Sequence, residues 1–323
     1  MKATIHIPEW ATFILSDHTD MDRNPQKVDA TKVSKFSLTL PDDVYFEYAF
    51  IDESGELRPD PLNELKADNP WFPDMSALLG PTYQAAPLAT PSQEAAGTLK
   101  RVRIVSNHLA QTRRLISYTP LGYEAEPLPV IYIQDGVAYY RIAKLAEVLE
   151  TLLIEKAIRP AHLVFIEPID RTVEYSYNPA YQAFMIEEVI PYFSQELQVT
   201  NERMLMGASL GGLVSATLAL KYSELFSTLV TQSGAFLGHP ENKDFYRAEE
   251  SWVLSQVQRS DALNFRWYLD TGTLEWLVDI NRTIAALLEA KGYDFFYAER
   301  HAGHNWVNWR NGVGNALRYA LKL

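Results

Sequence analysis

Met206-Gly207-Ala208-Ser209-Leu210-Gly211-Gly212 carries a Gly-x-Ser-x-Gly pattern, and its flanks decide how it folds. Residues 203–206 read as a short buried strand, and residues 213–222 are small and apolar enough for a helix packed on a sheet. The stretch is therefore strand, tight turn and helix, with Ser209 on the turn. A serine held there has its hydroxyl pushed into the open. Ala208, Gly211 and Gly212 suit the crowding, because the glycines remove side chains that would collide. The chemistry implied is an oxygen nucleophile, which in turn demands a histidine to take its proton and a carboxylate to orient the histidine.

The composition is compatible with that chemistry and excludes several others. A chain of 323 residues with 47% hydrophobic content can build one large α/β domain and a smaller companion. There is no cysteine, which rules out disulfides, thiolate metal sites and a cysteine nucleophile, and fits a reducing compartment. No metal or other cofactor is expected. The 29 basic against 41 acidic side chains leave a net charge of -12, which argues against a broad nucleic-acid footprint. No stretch approaches the roughly 18 consecutive apolar residues of a membrane span, and residues 1–10 lack the basic and apolar regions of a signal peptide. The expectation is a cytoplasmic globular protein whose partner is a small molecule, with its oligomeric state open. Seven Trp and 18 Tyr are many for this length, and packing accounts for most of them before any pocket does.

Two differently patterned halves meet at residues 85–98, a stretch rich in Ala, Pro, Ser and Thr that reads as a linker. Upstream, residues 1–84 form a small β-rich module, with strands expected at 11–15, 33–40 and 44–52 between polar turns. So few strands suggest a truncated sandwich leaning on the larger domain. Downstream, residues 99–323 alternate between strands (100–106, 114–119, 130–134, 162–167, 203–206, 227–232, 265–270 and 295–300) and helices (139–158, 180–197, 213–222, 275–291 and 307–323). The alternation predicts an α/β domain: a mostly parallel central sheet, begun by an antiparallel hairpin, with helices on both faces.

In such sheets function collects at the carboxyl ends of the strands. The strand ending at Asp270 is followed by Thr271-Gly272-Thr273-Leu274-Glu275-Trp276, and the strand ending at Arg300 by His301-Ala302-Gly303-His304-Asn305-Trp306. His6, His18, His108 and His162 fall in the β-module or in early strands and loops, and His239 follows a turn. His301 and His304 compete for the base, and His304, after the flexible Gly303, is favoured. Asp270, Glu275 and Asp279 compete for the acid. Glu275 has the best reach, although it also suits a helix N-terminus favoured by the macrodipole. An oxyanion hole would take one backbone N–H from Leu210, and the other from Gly136 or Val137 in the turn Asp135-Gly136-Val137. Asp135 serves equally as a turn-former and helix cap, or as a substrate contact.

Taken together, Tyr118-Thr119-Pro120 with Gly122-Tyr123, Ile131 to Gly136, Asp170-Arg171 with Glu174-Tyr175, Glu188 to Pro191, Gly207 to Gly212, Gly272 with Glu275, and Gly303-His304-Asn305-Trp306 with Trp309-Arg310 resemble a known family. It is the family of esterases related to enterochelin (enterobactin) esterase, within the esterase D and antigen 85 group of α/β-hydrolases. The likeness spans roughly residues 100–323. More weakly, Tyr45-Phe46-Glu47-Tyr48 and Pro59-Asp60-Pro61-Leu62-Asn63 are similar to the end of the N-terminal immunoglobulin-like module of siderophore esterases, here shortened at its start. The resemblance implies the α/β-hydrolase fold, a triad of Ser209, Glu275 and His304, and hydrolysis of carboxylic esters through an acyl-enzyme. Siderophore esters are anionic, so it also makes Arg141, Arg171 and Arg310 candidate substrate contacts. Each is equally able to be a structural ion-pair partner, Arg171 with Glu174 for instance. Trp276, beside Glu275, is a further candidate contact. Acyl transfer to a sugar or alcohol, hydrolysis of feruloyl or acetyl carbohydrate esters, and a non-enzymatic binding role remain as alternatives.

Overall fold

The computed structural model describes residues 1–19, 26–29, 31–242, 250–261 and 263–323. Seven short strands make up the N-terminal region: β1 (Lys2–His6), β2 (Phe13–Ser16), β3 (Gln26–Lys27), β4 (Lys35–Thr39), β5 (Tyr45–Ile51), β6 (Leu57–Arg58) and β7 (Ser76–Leu79). β1 pairs antiparallel with β4, while β3, β2, β5 and β6 form a second sheet with β7 added on β5. The sequence pattern anticipated β2, β4 and β5. It missed β1, β3, β6 and β7, which are strands because of the neighbours they pair with.

β5 is the centre of this region, and its alternating side chains feed two apolar clusters. Phe46, Tyr48 and Phe50 join Ile5, Ile14, Val28 and Leu38 on one face. On the other, Tyr45 and Ala49 join Ala67, Met75, Ala77, Ala302 and Val307. Ala302 and Val307 lie far along the chain, yet Met1–Ala86, Thr271–Val278 and Glu299–Asn311 belong to one compact unit. The second unit comprises Pro87–Asp270, Asp279–Ala298 and Gly312–Leu323.

After the N-terminal region the chain continues with the antiparallel hairpin β8 (Thr98–Ser106) and β9 (Gln111–Thr119). There follow β10 (Leu128–Gln134), α1 (Gly136–Arg141), α2 (Leu145–Ile154), β11 (His162–Ile166), α3 (Arg171–Tyr175), α4 (Pro179–Ala183), α5 (Ile190–Glu196), β12 (Val199–Ala208), α6 (Leu210–Lys221), β13 (Thr228–Gln232), α7 (Trp252–Arg259), β14 (Arg266–Gly272), α8 (Val278–Ala290), β15 (Phe295–Arg300) and α9 (Trp306–Ala320). The eight strands form one sheet in the order β15-β14-β13-β12-β10-β11-β9-β8, with β10 to β14 parallel. Every residue of β10, β11 and β13 is buried, so both faces of the sheet are covered. This is the mixed sheet and hairpin that the alternation predicted.

Two expected helices are interrupted. The one at 139–158 begins earlier, at Gly136, and breaks before α2, where Lys144 takes a left-handed conformation with φ 52°. The one at 180–197 contains a wide π turn at Phe184–Val189. Pro191 explains it: the ring lacks an N–H and crowds the carbonyl four residues back, and a wider turn relieves both. The helix expected at 275–291 starts at Val278, which leaves Glu275 in the preceding loop.

Candidate active site

In the second unit β12 delivers the chain to Ser209, whose φ of 55° and ψ of -121° lie outside the regions that side-chain-bearing residues prefer. Hydrogen bonds on both sides hold the strain. Ser209 N–H donates to the Gln232 carbonyl of β13 at 2.9 Å, and the Ser209 carbonyl accepts from Leu213 and Ala235 N–H, each at 3.0 Å. A Cβ at Gly207 would lie 2.3 Å from the Gly211 carbonyl oxygen, so the close approach of strand to helix admits only glycine. Leu210 is the first residue of α6, where the helix's own ladder leaves the N–H unused.

A second strained turn follows β10. Asp135 has φ 54° and ψ 43°, and Gly136 is the first residue of α1. Asp135 makes no helix-capping bond with its side chain; its carboxylate instead receives Arg171 Nε at 2.7 Å and Nη2 at 2.8 Å. Arg171 Nη2 also donates to the carbonyl of Ala208 at 3.1 Å, which ties this turn to the residue before Ser209. Of the two N–H groups weighed as the second oxyanion donor, that of Val137 is engaged by Glu167 Oε2 at 2.9 Å. Gly136 is therefore the better candidate. Glu174, the partner that sequence proximity suggested for Arg171, is taken by Arg113 in a buried bidentate pair at 2.7 and 2.9 Å. Arg141 closes α1 and is exposed.

The acid and base candidates lie in the first unit. His304 Nδ1 contacts Glu275 Oε2 at 2.7 Å. With a carboxylate as partner Nδ1 carries the proton, which leaves Nε2 as the basic nitrogen. The other oxygen of Glu275 accepts from the Thr271 hydroxyl and from Gly272 N–H, and the Glu275 side chain is fully buried. These bonds draw the segment after β14 into a turn, which explains why α8 starts late. The two loops are also stitched together: Thr273 N–H donates to the Arg300 carbonyl at 2.8 Å and Leu274 N–H to that of Ala302 at 3.1 Å. Asn305 caps α9 by accepting from Asn308 N–H at 2.9 Å, and the Asn308 amide returns to the Gly303 carbonyl at 3.1 Å. Trp309 meets the His304 ring edge-on at 5.0 Å between centroids, and Trp276 lies at 6.4 Å.

The rival residues are engaged otherwise. Asp270 is buried and accepts from the Gln232 amide at 3.1 Å and from Tyr268 OH at 2.9 Å. Tyr139 OH donates to the same Gln232, which completes a buried polar network that the sequence did not signal. Asp279 is exposed beside Arg282, His301 is exposed against Asp43 at 2.5 Å, and Arg310 pairs with Asp68 at 2.6 Å. Among the described residues no group of three or more His, Cys, Asp or Glu side chains is gathered as a metal site requires.

Glu47, in the middle of the otherwise apolar β5, is the second unforeseen feature. It accepts from the Asn69 amide at 2.6 Å and Tyr45 OH at 3.0 Å, and burial pushes its carboxyl up to about 7. Burial raises Asp17 too, and the neighbouring Glu47 adds to the rise. A raised folded-state value favours the neutral acid, so the contribution to stability is present below the ordinary carboxylate range near 4.5 and is lost as pH rises through about 7. We expect the melting temperature to fall by about a few °C between those pH values, and Glu47→Gln to flatten the fall. Thermal melts of both proteins across the range check this, and a difference between them that does not vary with pH would count against it.

The mixed eight-stranded sheet, with helices on both faces and a strained strand-to-helix turn at Ser209, has the architecture of an α/β-hydrolase fold. The esterase family described as "Putative esterase" matches residues 106–319, and the chain belongs to that family of carboxylic ester hydrolases. Its relatives include Uncharacterized protein YjcH of Bacillus subtilis, 28% identical over 70% of this chain and 98% of that one. Another is the iron(III) enterobactin esterase of Escherichia coli O6:H1, 24% identical over 87% of this chain and 72% of the relative. The enterobactin esterase of Shigella flexneri, solved in the presence of enterobactin, superposes with a TM-score of 0.75 over 99% of this chain and 92% of that one at 21% identity, a likeness of fold. Among the described residues no helix is long and apolar enough to cross a membrane.

Proposed function

We propose that this esterase works by a serine mechanism in which Ser209 attacks the ester carbonyl, His304 takes and returns the proton, and Glu275 orients His304. Leu210 and Gly136 N–H groups would receive the developing oxyanion, and water would release the acyl group from Ser209. The observation that carries this reading is the 2.7 Å contact between His304 Nδ1 and the caged Glu275 carboxylate. A buried carboxylate bonded to an imidazole fixes its tautomer and orientation, as proton relay from a serine requires. The order Ser209, Glu275, His304, each following the carboxyl end of a strand, supports it further.

For the substrate we propose a siderophore-type ester, cleaved in the manner named for the enterobactin esterase relatives. Arg171 is held by Asp135 and Arg310 by Asp68, so on this reading they shape the site more than they seek an anion. Arg141 is exposed. The test is to compare hydrolysis of a ferric catecholate triester with feruloyl, acetyl and simple acyl esters, with and without added alcohols. The reading expects kcat/KM for the triester to exceed the others by about tenfold or more, equivalent to about 1.4 kcal/mol of transition-state discrimination. Preference for feruloyl or acetyl sugars, or transfer to alcohol in place of hydrolysis, would replace it.

A further inference from the structure

The loop bearing His304 passes over a buried carboxyl from the other end of the chain. Asp17, which is 2% exposed, follows β2 and accepts from Glu47 N–H through Oδ2 at 2.8 Å. Its other oxygen lies against Gly303: a Cβ built there would stand 1.8 Å from Asp17 Oδ1 and 2.1 Å from Cγ. No side chain fits at 303 while Asp17 keeps its place. The Asn305 amide faces the same carboxyl, so Asp17 touches the loop on both sides of His304. Other N-terminal residues grip the flanks of that loop. Tyr45 N–H donates to the His301 carbonyl at 2.9 Å, Trp71 meets Trp306 and Trp309 edge-on at 5.5 and 5.4 Å, and Ala302 and Val307 pack beneath β5.

We propose that Asp17 is a positioning residue for catalysis: its carboxyl occupies the space of the missing side chain at Gly303 and sets where His304 stands relative to Glu275. The N-terminal β-module is on this account the support of the acid–base pair. The inference rests on the reading of His304 and Glu275 as that pair. A carboxyl in so apolar a place, beside a second one, is favoured in its neutral form, which an asparagine mimics in shape and polarity.

Misplacing a general base by about 1 Å costs on the order of a hundredfold in rate. Asp17→Ala is therefore expected to lower kcat by roughly 30- to 100-fold with KM within about twofold, and Asp17→Asn to stay within about threefold of the parent. Gly303→Ala should be about as slow as Asp17→Ala, and the double variant no slower than the worse single one, because both changes break one contact. A readout independent of turnover is the NMR position of the His304 ring protons, assigned by their loss in His304→Gln. They lie in the ring-current field of Trp309, and should move in Asp17→Ala and stay in Asp17→Asn. Additive losses in the double variant, or unmoved His304 resonances in Asp17→Ala with only the melting temperature lowered, would overturn the proposal. Should Ser209→Ala retain full hydrolysis, the serine reading fails by itself and the resonances still decide the role of Asp17.

Discussion

Ser209→Ala is expected to lower kcat for an activated ester by roughly 10⁴- to 10⁶-fold, with the fold and melting temperature intact. The side chain is small and the strain of its turn resides in the backbone, held by bonds from Ser209 N–H to Gln232 and to the Ser209 carbonyl from Leu213 and Ala235. An alanine can occupy that backbone as serine does, so the loss should be chemical rather than structural. Without the hydroxyl there is no acyl-enzyme, and the remaining rate would come from the oxyanion donors and substrate binding alone. Steady-state kinetics on p-nitrophenyl esters beside a thermal melt separates the two outcomes. A variant that unfolds, or that keeps a tenth of the activity, would speak against Ser209 as nucleophile.

Glu275→Gln should cost about 10³- to 10⁴-fold in kcat with little change in KM. The carboxylate is fully buried and bonded at once to His304 Nδ1, the Thr271 hydroxyl and Gly272 N–H. An amide of the same shape offers one oxygen where the carboxylate offers two, so at least one of its three donors must face an NH₂ group. Whichever donor loses, the imidazolium that forms during turnover also loses its counter-charge. Asp279→Asn is the matched control, since that side chain is exposed beside Arg282, and its kcat should change by less than about twofold. Measuring both variants side by side checks the assignment of the acid, and equal effects from the two would contradict it.

Most of the architecture was legible from the order of apolar runs, because a parallel sheet buried on both faces needs continuous stretches such as Leu128–Gln134 and His162–Ile166. Ser209 was legible for a related reason: few sequences other than small residues tolerate a strand turning so sharply into a helix. What stayed hidden depends on distance through space. Asp270, Glu275 and Asp279 could be ranked by reach, but the loop's closure around the Glu275 carboxylate is set by Thr271 and Gly272. Arg171 has Glu174 three positions away and pairs with Asp135 instead, because Glu174 turns inward to Arg113. Nothing local to Asp17 or Glu47 announces two carboxyls buried under a loop near residue 303. The only local trace was an acid interrupting the apolar run of β5.

The central claim is that Ser209 becomes a covalent intermediate through His304 and Glu275. It is tested most directly by treating the protein with a fluorophosphonate and following the intact mass. The account predicts a single adduct per chain, mapped to Ser209, absent from Ser209→Ala and formed far more slowly in His304→Ala and Glu275→Gln. An adduct on another residue, or labelling of Ser209 at an unchanged rate after loss of His304, would contradict it.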